Sequence, residues 1–521
     1  MNDDFIAKER NFENVLREKN TFGSLILMCS GMVLLGFGML TLFDFRGYYK
    51  PFYGGLFSWT VGYGCILLAV IMVKDKVERL SVRNAIIVIV GIVALGIGYR
   101  VLVTLDLATT SWDAYNYVRV GHMIDAGWVP YKDPAFHEWF PTLYGPLFYI
   151  ILDVVVNPAY MLEDWQICMT LVDILTGAGV ILLVSSRFEK ILVSVGYFFN
   201  PLLFLENSVN AHNDVLMVFL LVAGMVLLKY VEKKEKSTRM LLLTAGGLLL
   251  GLSIMIKWIS VPIVLVFILS KKFSLQEKIL ISVGVIVGIV MPIGYYVYLG
   301  GITILGEIAE IFLQGGNTFY ANSLNSFWRD IINRLGLPEL FLGIPRVVMY
   351  GHIGLLLLVF YLSQYEKVDF GKKITIKEYS VPIGQLLGIL NVFAILWYVT
   401  VLFGFVVVFS GLKFHILVLF VLYLIGIGIL GIMLYRDREF TKDWLMVEGK
   451  VRMEEIVGYI AIILVLMMNK TWPWYTVLPV SLVGMMENKK LVVVLVLLLI
   501  GQAYFSLGIG DFGGDGVFLG I

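Results

Sequence analysis

Between residues 109 and 149 the chain reads TTSWDAYNYVRVGHMIDAGWVPYKDPAFHEWFPTLYGPLFY, with Asp113, Arg119, His122, Asp125, Lys132, Asp133, His137 and Glu138 set among aromatics and prolines. A connector between membrane helices needs only a few polar turn residues. Titratable groups held by rigid aromatics have instead the composition of a reactive site. Asp113 is the candidate general base, because a carboxylate at a partly desolvated boundary has its pKa raised toward the working pH. Tyr117 stands four residues on and shares its helical face; with Arg119 it is a candidate substrate contact. The other reading of Asp113 is a helix cap, since Asp before Ala-Tyr-Asn-Tyr can bond the orphan amides of the next helix. The two roles are compatible.

A second polar group, His212-Asn213-Asp214, follows Asn200-Pro201 and Glu206 and precedes the apolar run from Val215. Asn213 or Asp214 is expected either to cap that helix or to join a substrate-binding cluster with His212, facing Asp113 across a vestibule. Lys257, Lys413 and Lys470 each stand at a helix end beside aromatics, and His415 follows Lys413 by two. Singly such lysines are snorkelling anchors. Together they suit an anion at the interface, and a lipid phosphate is the natural one. Trp472, Trp474 and Tyr475 beside Lys470 are suited to stack on a sugar or isoprenoid. The segment QGGNTFYANSLNSFWRDIINR either contacts carbohydrate or covers the vestibule. The five histidines show no i, i+4 pair and no Cys–His arrangement, so no metal site is expected.

These residues are positioned by apolar helices. Hydrophobic residues make up 59% of the 521 and charged residues 15%, against about half and a quarter in soluble domains. Apolar runs of about 17 to 22 residues match the length needed to span hydrocarbon. The expected fold is an all-α polytopic integral membrane protein of about 13–15 transmembrane helices, with interfacial helices and loops on its outer face. A net charge of +1, with cations spread along the chain, excludes a nucleic-acid partner. Cys29, Cys65 and Cys168 all fall in apolar runs, so no disulfide framework is implied. The charged, mixed N-terminus does not read as a signal peptide.

Connectors rich in Lys and Arg alternate with connectors poor in them. Lys74, Lys76, Arg79 and Arg83, then Lys229 to Arg239, Lys271 to Lys278, Lys367 to Lys377 and Arg436 to Arg452, are expected to face the cytoplasm with the N-terminus. This parity holds if residues 142–163, broken by Pro146 and Pro158 and carrying Asp153, do not cross but form an interfacial or re-entrant helix. The candidate site then lies on the outer face of a multi-pass protein of the cell membrane. The expected organisation is a cytoplasmic N-terminus and hairpin at 1–83, a core at 84–300 whose catalytic loop is 106–165, an outer loop at 301–345, and C-terminal helices with an outer tail at 346–521.

Taken in order, Asp113-x-Tyr115-x-Tyr117, Gly127-Trp128-Val129-Pro130-Tyr131-Lys132-Asp133, Pro141-Thr142-Leu143-Tyr144-Gly145-Pro146-Leu147, Asn200-Pro201 to Glu206 with His212-Asn213-Asp214, Lys257-Trp258, and Lys470-Thr471-Trp472-Pro473-Trp474-Tyr475 form a recognisable series. The sequence resembles the GT-C superfamily of glycosyltransferases, specifically the polyprenol-phosphate-mannose-dependent mannosyltransferase-like families. Their Trp-Pro-Trp-Tyr motif often begins with His, where this chain has Lys470 and Thr471. They typically have fewer helices before the catalytic Asp, so 1–83 looks like an added hairpin.

The resemblance implies a polyprenyl- or dolichyl-phosphate sugar as donor, with its phosphate on outer lysines and no separate cofactor. It implies Asp113 as the base for a hydroxyl of a lipid-linked glycan, glycolipid or protein acceptor. Mannose is the expected hexose. Lipid phosphate leaves well enough for metal-independent transfer. The competing reading is a transporter or flippase of a lipid-linked or small substrate. That class needs charges at mid-membrane along a pathway, whereas most charges here fall at run ends.

Overall fold

The computed structural model describes residues 23–37, 49–106, 112–133, 144–155, 162–231 and 234–314. Beyond these it describes short stretches between 350 and 361, strands within 373–382 and 446–451, and residues 453–466 and 476–486. Apart from two short antiparallel hairpins, Lys373–Ile376 with Tyr379–Pro382 and Met446–Val447 with Lys450–Val451, the elements are helical. In chain order the main ones are α1 Tyr49–Met72, α2 Val82–Asp106, α3 Trp112–Asp125, α4 Pro146–Val155, α5 Leu162–Leu183 and α6 Arg187–Phe198. They continue with α7 Asp214–Tyr230, α8 Lys236–Ile254, α9 Val261–Leu269, α10 Leu275–Gly300, α11 Ile304–Gln314, α12 Met453–Leu466 and α13 Val477–Leu482.

Among the described residues four helices are long and apolar enough to cross a membrane: α2, α5, α8 and α10. A fifth span arises if α6 and the segment Pro201–Val209, bent by 44°, are taken together. The remainder of the 13–15 helices expected from sequence is either shorter or outside the described residues. Large apolar side chains such as Leu95, Leu102, Leu241, Ile286 and Met291 are exposed on these helices. Water would not tolerate such a continuous apolar surface, and lipid requires it. The fold is of the all-α class of polytopic membrane proteins, its described elements helical apart from those hairpins.

Helix boundaries follow local chemistry. Ser186 and Ser274 each open a helix with a capping box, accepting the N3 amide of Glu189 and Glu277 while those carboxylates bond back. Helices α8 and α10 cross with their backbones in close approach. Gly247 and Gly251 on one face Gly284 and Gly288 on the other, each pair four residues apart. A Cβ at Gly247 would run into the Ile281 carbonyl, and one at Gly284 into the Thr244 carbonyl. Small residues at this spacing let two backbones approach where no hydrophobic effect drives helices together.

Of residues 142–163, those at 144–155 and 162–163 are described. Their described part contains α4, ten residues that bury Pro146, Phe148, Tyr149 and Leu152. At about 1.5 Å per residue this reaches roughly half the hydrocarbon thickness. Its entry is pinned to the end of α8: Gly145 and Leu147 amides donate to the Ile256 and Met255 carbonyls at 3.0 and 3.1 Å. Gly145 is required there, because a Cβ would collide with the Met255 carbonyl.

Candidate active site

Four segments meet around Asp113. The first is the start of α3. Asp113 lies inside its first turn, where the helix dipole favours a carboxylate, and it leaves 32% of its side chain exposed. It is thus within the helix and not the residue preceding it.

The second is the segment after α6. Asn200 starts it by accepting the Leu202 and Leu203 amides, with Pro201 at the first helical position. Residues Phe204–Val209 then wind as a π-helical turn, a form that recurs at functional sites. Every residue from Pro201 to Asp214 is buried. Ala211 sits at φ 51°, a left-handed conformation uncommon for a residue with a Cβ. Its carbonyl is held by Trp165 Nε1 at 2.9 Å, and Gln166 Nε2 holds the Val209 carbonyl at 2.6 Å. Two neighbouring side chains of α5 therefore clamp the turn that aims His212.

His212 is fully buried. Its Nδ1 is 3.7 Å from Asp113 Oδ2, and its Nε2 is 3.4 Å from Glu206 Oε2. The His212 amide also donates to the Glu206 carbonyl at 2.9 Å, and Asn210 Nδ2 donates to Glu206 Oε2 at 3.3 Å. Burial, and then the nearby Lys257 charge, hold the imidazole well below its ordinary pKa, so it is neutral.

The third segment is Lys257, between α8 and α9. Its Nζ donates to Asp214 Oδ2 at 2.6 Å and stands 5.1 Å from the centre of the Tyr144 ring. Asp214 therefore pairs with a lysine in the first turn of α7, while Asn213, at the cap position, makes no side-chain capping bond. Both polar atoms of the Asn213 amide are buried and unbonded among the described residues.

The fourth segment supplies the aromatic wall. Tyr117 is buried, bonds the Tyr144 hydroxyl at 3.0 Å, and packs edge-on against Phe148 and Trp165. It is buried within this aromatic cluster. Tyr131, at φ 69°, donates to the Tyr144 carbonyl at 2.7 Å. Arg119 is exposed. Lys413, His415, Lys470, Trp472, Trp474 and Tyr475 lie outside the described residues.

Sequence reasoning named Glu206 without a role and missed Arg100 and Asp173 altogether. Arg100 Nε bonds Asp173 Oδ2 at 2.5 Å, with both side chains fully buried. Asp173 Oδ1 also accepts from the Tyr197 hydroxyl and Asn207 Nδ2, each at 2.7 Å. An Arg and an Asp inside otherwise apolar helices were the available signal.

This arrangement is that of a membrane enzyme with a semi-exposed carboxylate backed by a buried imidazole. Residues 55–271 match the family described as Alpha-(1->6)-mannopyranosyltransferase, N-terminal domain. That stretch carries all four segments, and the match supports a glycosyltransferase. No curated protein and no solved structure matches the chain.

Proposed function

We propose that the protein transfers a mannosyl group from a polyprenyl- or dolichyl-phosphate donor to a hydroxyl of a lipid-linked glycan, glycolipid or protein. The reaction takes place on the outer face of a multi-pass protein of the cell membrane. The observation that carries this reading is Asp113, the partly exposed carboxylate held 3.7 Å from a buried, neutral histidine. A neutral neighbour leaves the carboxylate its charge and basicity, which an imidazolium would quench. Lys257, at the same site, places a cation where the departing lipid phosphate gains charge. Asp214 offsets that cation in the absence of donor.

Direct displacement inverts the anomeric carbon, so an α-(1→6) product of the kind named for the matched family requires a β-linked donor. The Lys and Arg clusters at Lys74–Arg83, Lys229–Arg239 and Lys271–Lys278 lie at the ends of the helices remote in sequence from Asp113 and Lys257, in keeping with a site on the outer side.

The test is to incubate the full chain in lipid nanodiscs with radiolabelled undecaprenyl-phosphate-mannose and octyl α-mannoside. The expected result is a labelled disaccharide that appears with Asp113 intact and vanishes in Asp113→Asn. Movement of the intact donor across a vesicle bilayer, with no transfer, would instead establish the flippase reading.

A further inference from the structure

The base of a glycosyl transfer must release the proton it takes, and Asp113 has a buried route for it. The geometry points to a proton relay from Asp113 through His212 to Glu206, with Glu206 as the terminal acceptor. This inference rests on the glycosyltransferase reading of Asp113.

Three observations combine. His212 lies between two carboxylates that approach opposite ring nitrogens, Asp113 at Nδ1 and Glu206 at Nε2. An imidazole is the side chain that can accept a proton at one nitrogen while losing one from the other. Glu206 is fully buried, and its Oε1 has no hydrogen-bond partner among the described residues, while its Oε2 faces the histidine. The oxygen that faces the histidine, Oε2, accepts only a 3.3 Å bond from Asn210 among the printed contacts, and Oε1 is unbonded among the described residues. Finally, the path is built to hold still. The His212 amide is tied to the Glu206 carbonyl, and Trp165 and Gln166 clamp the turn between them. The separations of 3.7 and 3.4 Å are longer than transfer requires, as is common before substrate binds.

The charged groups around the imidazole set the direction. Asp113 and Glu206 face its two nitrogens, and the Lys257–Asp214 pair lies nearby. Burial, and then Lys257, disfavour a stable imidazolium, so the histidine passes a proton on without storing it. With Glu206 and Asp113 both ionised at the start and the resting hydrogen on Nε2, the steps balance as follows. The acceptor oxygen bonds to the anomeric carbon, and the carbon–oxygen bond to the lipid phosphate breaks, the electron pair leaving with the phosphate. The acceptor hydroxyl proton goes to Asp113. Asp113 donates it to Nδ1, and the Nε2 hydrogen passes to Glu206 Oε2. Asp113 ends as a carboxylate, His212 as its other neutral tautomer and Glu206 as a carboxylic acid.

The experiment compares wild type, Glu206→Gln and His212→Gln in nanodiscs with undecaprenyl-phosphate-mannose and octyl α-mannoside, and records kcat, KM and the rate in H2O–D2O mixtures. Gln at 206 can still accept from Nε2 but cannot take its proton. We expect kcat of Glu206→Gln to fall by roughly 10²-fold or more with donor KM near wild type. The wild-type rate should curve against deuterium fraction, and this curvature should flatten in both variants. A wild-type kcat in Glu206→Gln, or a changed KM with kcat kept, overturns the relay and leaves the transferase reading standing. If Glu206→Gln does not fold, a straight deuterium dependence of the wild type overturns it instead. Absence of transfer by the wild type removes the transferase reading, and the relay with it.

Discussion

Asn207 Nδ2 and Asp173 Oδ1 are joined at 2.7 Å across 34 residues of chain, tying the π-helical turn to the middle of α5. The residue before Asn207 is Glu206, and the same Asp173 is bonded by Arg100 and Tyr197. The buried ion pair and the turn that carries Glu206 are therefore one network. Its physical role is to fix a turn whose π-helical backbone would otherwise be free to relax toward ordinary α-helix.

Asp173→Asn should be strongly destabilising, since it leaves Arg100 buried without its counter-charge. Breaking such a pair costs about 3–5 kcal/mol, and the thermal midpoint of the detergent-solubilised protein should drop accordingly. Replacing Arg100 and Asp173 together by Leu should be milder. A midpoint unchanged in Asp173→Asn would show that the pair does not support the fold.

Asp113→Asn should fold normally and transfer almost no sugar. Its carboxylate stands in the first turn of α3, where the change to an amide gives up a dipole interaction of about 0.3–1 kcal/mol. Loss of a general base costs about 10²–10⁴-fold in rate. Size-exclusion profile and disaccharide yield measured on the same preparation separate the two effects, and full activity would reduce Asp113 to a structural role.

Lys257 and Asp214 allow stability and donor binding to be told apart. Lys257→Ala should lower folding yield, by stranding a buried carboxylate, and should also raise the KM for undecaprenyl-phosphate-mannose. Adding Asp214→Asn should restore the yield but not the KM. Recovery of both would mean that Lys257 serves Asp214 alone.

Gly251→Leu should push α8 away from α10, because the Cβ position already meets the Val285 carbonyl. With α8 goes the Met255–Ile256 edge that anchors Gly145 and Leu147. The expected result is a lower thermal midpoint with activity lost in parallel. A large side chain tolerated at this site would contradict the close crossing.

Orientation is testable at two exposed positions, Ala126 after α3 and Lys271 after α9. Cysteine at 126 should react with an impermeant thiol reagent on intact cells, and cysteine at 271 only after permeabilisation. Asn210, although polar and in a connector, is only 7% exposed and unsuited to such labelling. Reaction at 271 from outside would invert the assigned topology.

Much of this was legible in one dimension. Membrane helices are written as apolar length, since backbone and side chains must both satisfy a solvent without hydrogen bonds. Asp113 stood out because a carboxylate among aromatics is costly without a purpose. His212-Asn213-Asp214 and Lys257 stood out as polar residues at helix ends. Proline positions and Asp153 were enough to question a full crossing at 142–163, whose described part holds the ten residues of α4.

What the tertiary structure alone decided is which polar groups meet, and in what state. Spacing placed Tyr117 on the face of Asp113, but not its burial against Tyr144, Phe148 and Trp165. Nothing local pairs Arg100 with Asp173, or Lys257 with Asp214, 73 and 43 residues apart. Nor does it reveal that Glu206 faces His212, since a π-helical turn changes the angle at which successive side chains project. Hydrophobic length is a property of the chain against its solvent and can be read from the residues in order. Ion pairing, tautomer choice and the burial of a carboxylate arise from groups brought together only when the helices cross.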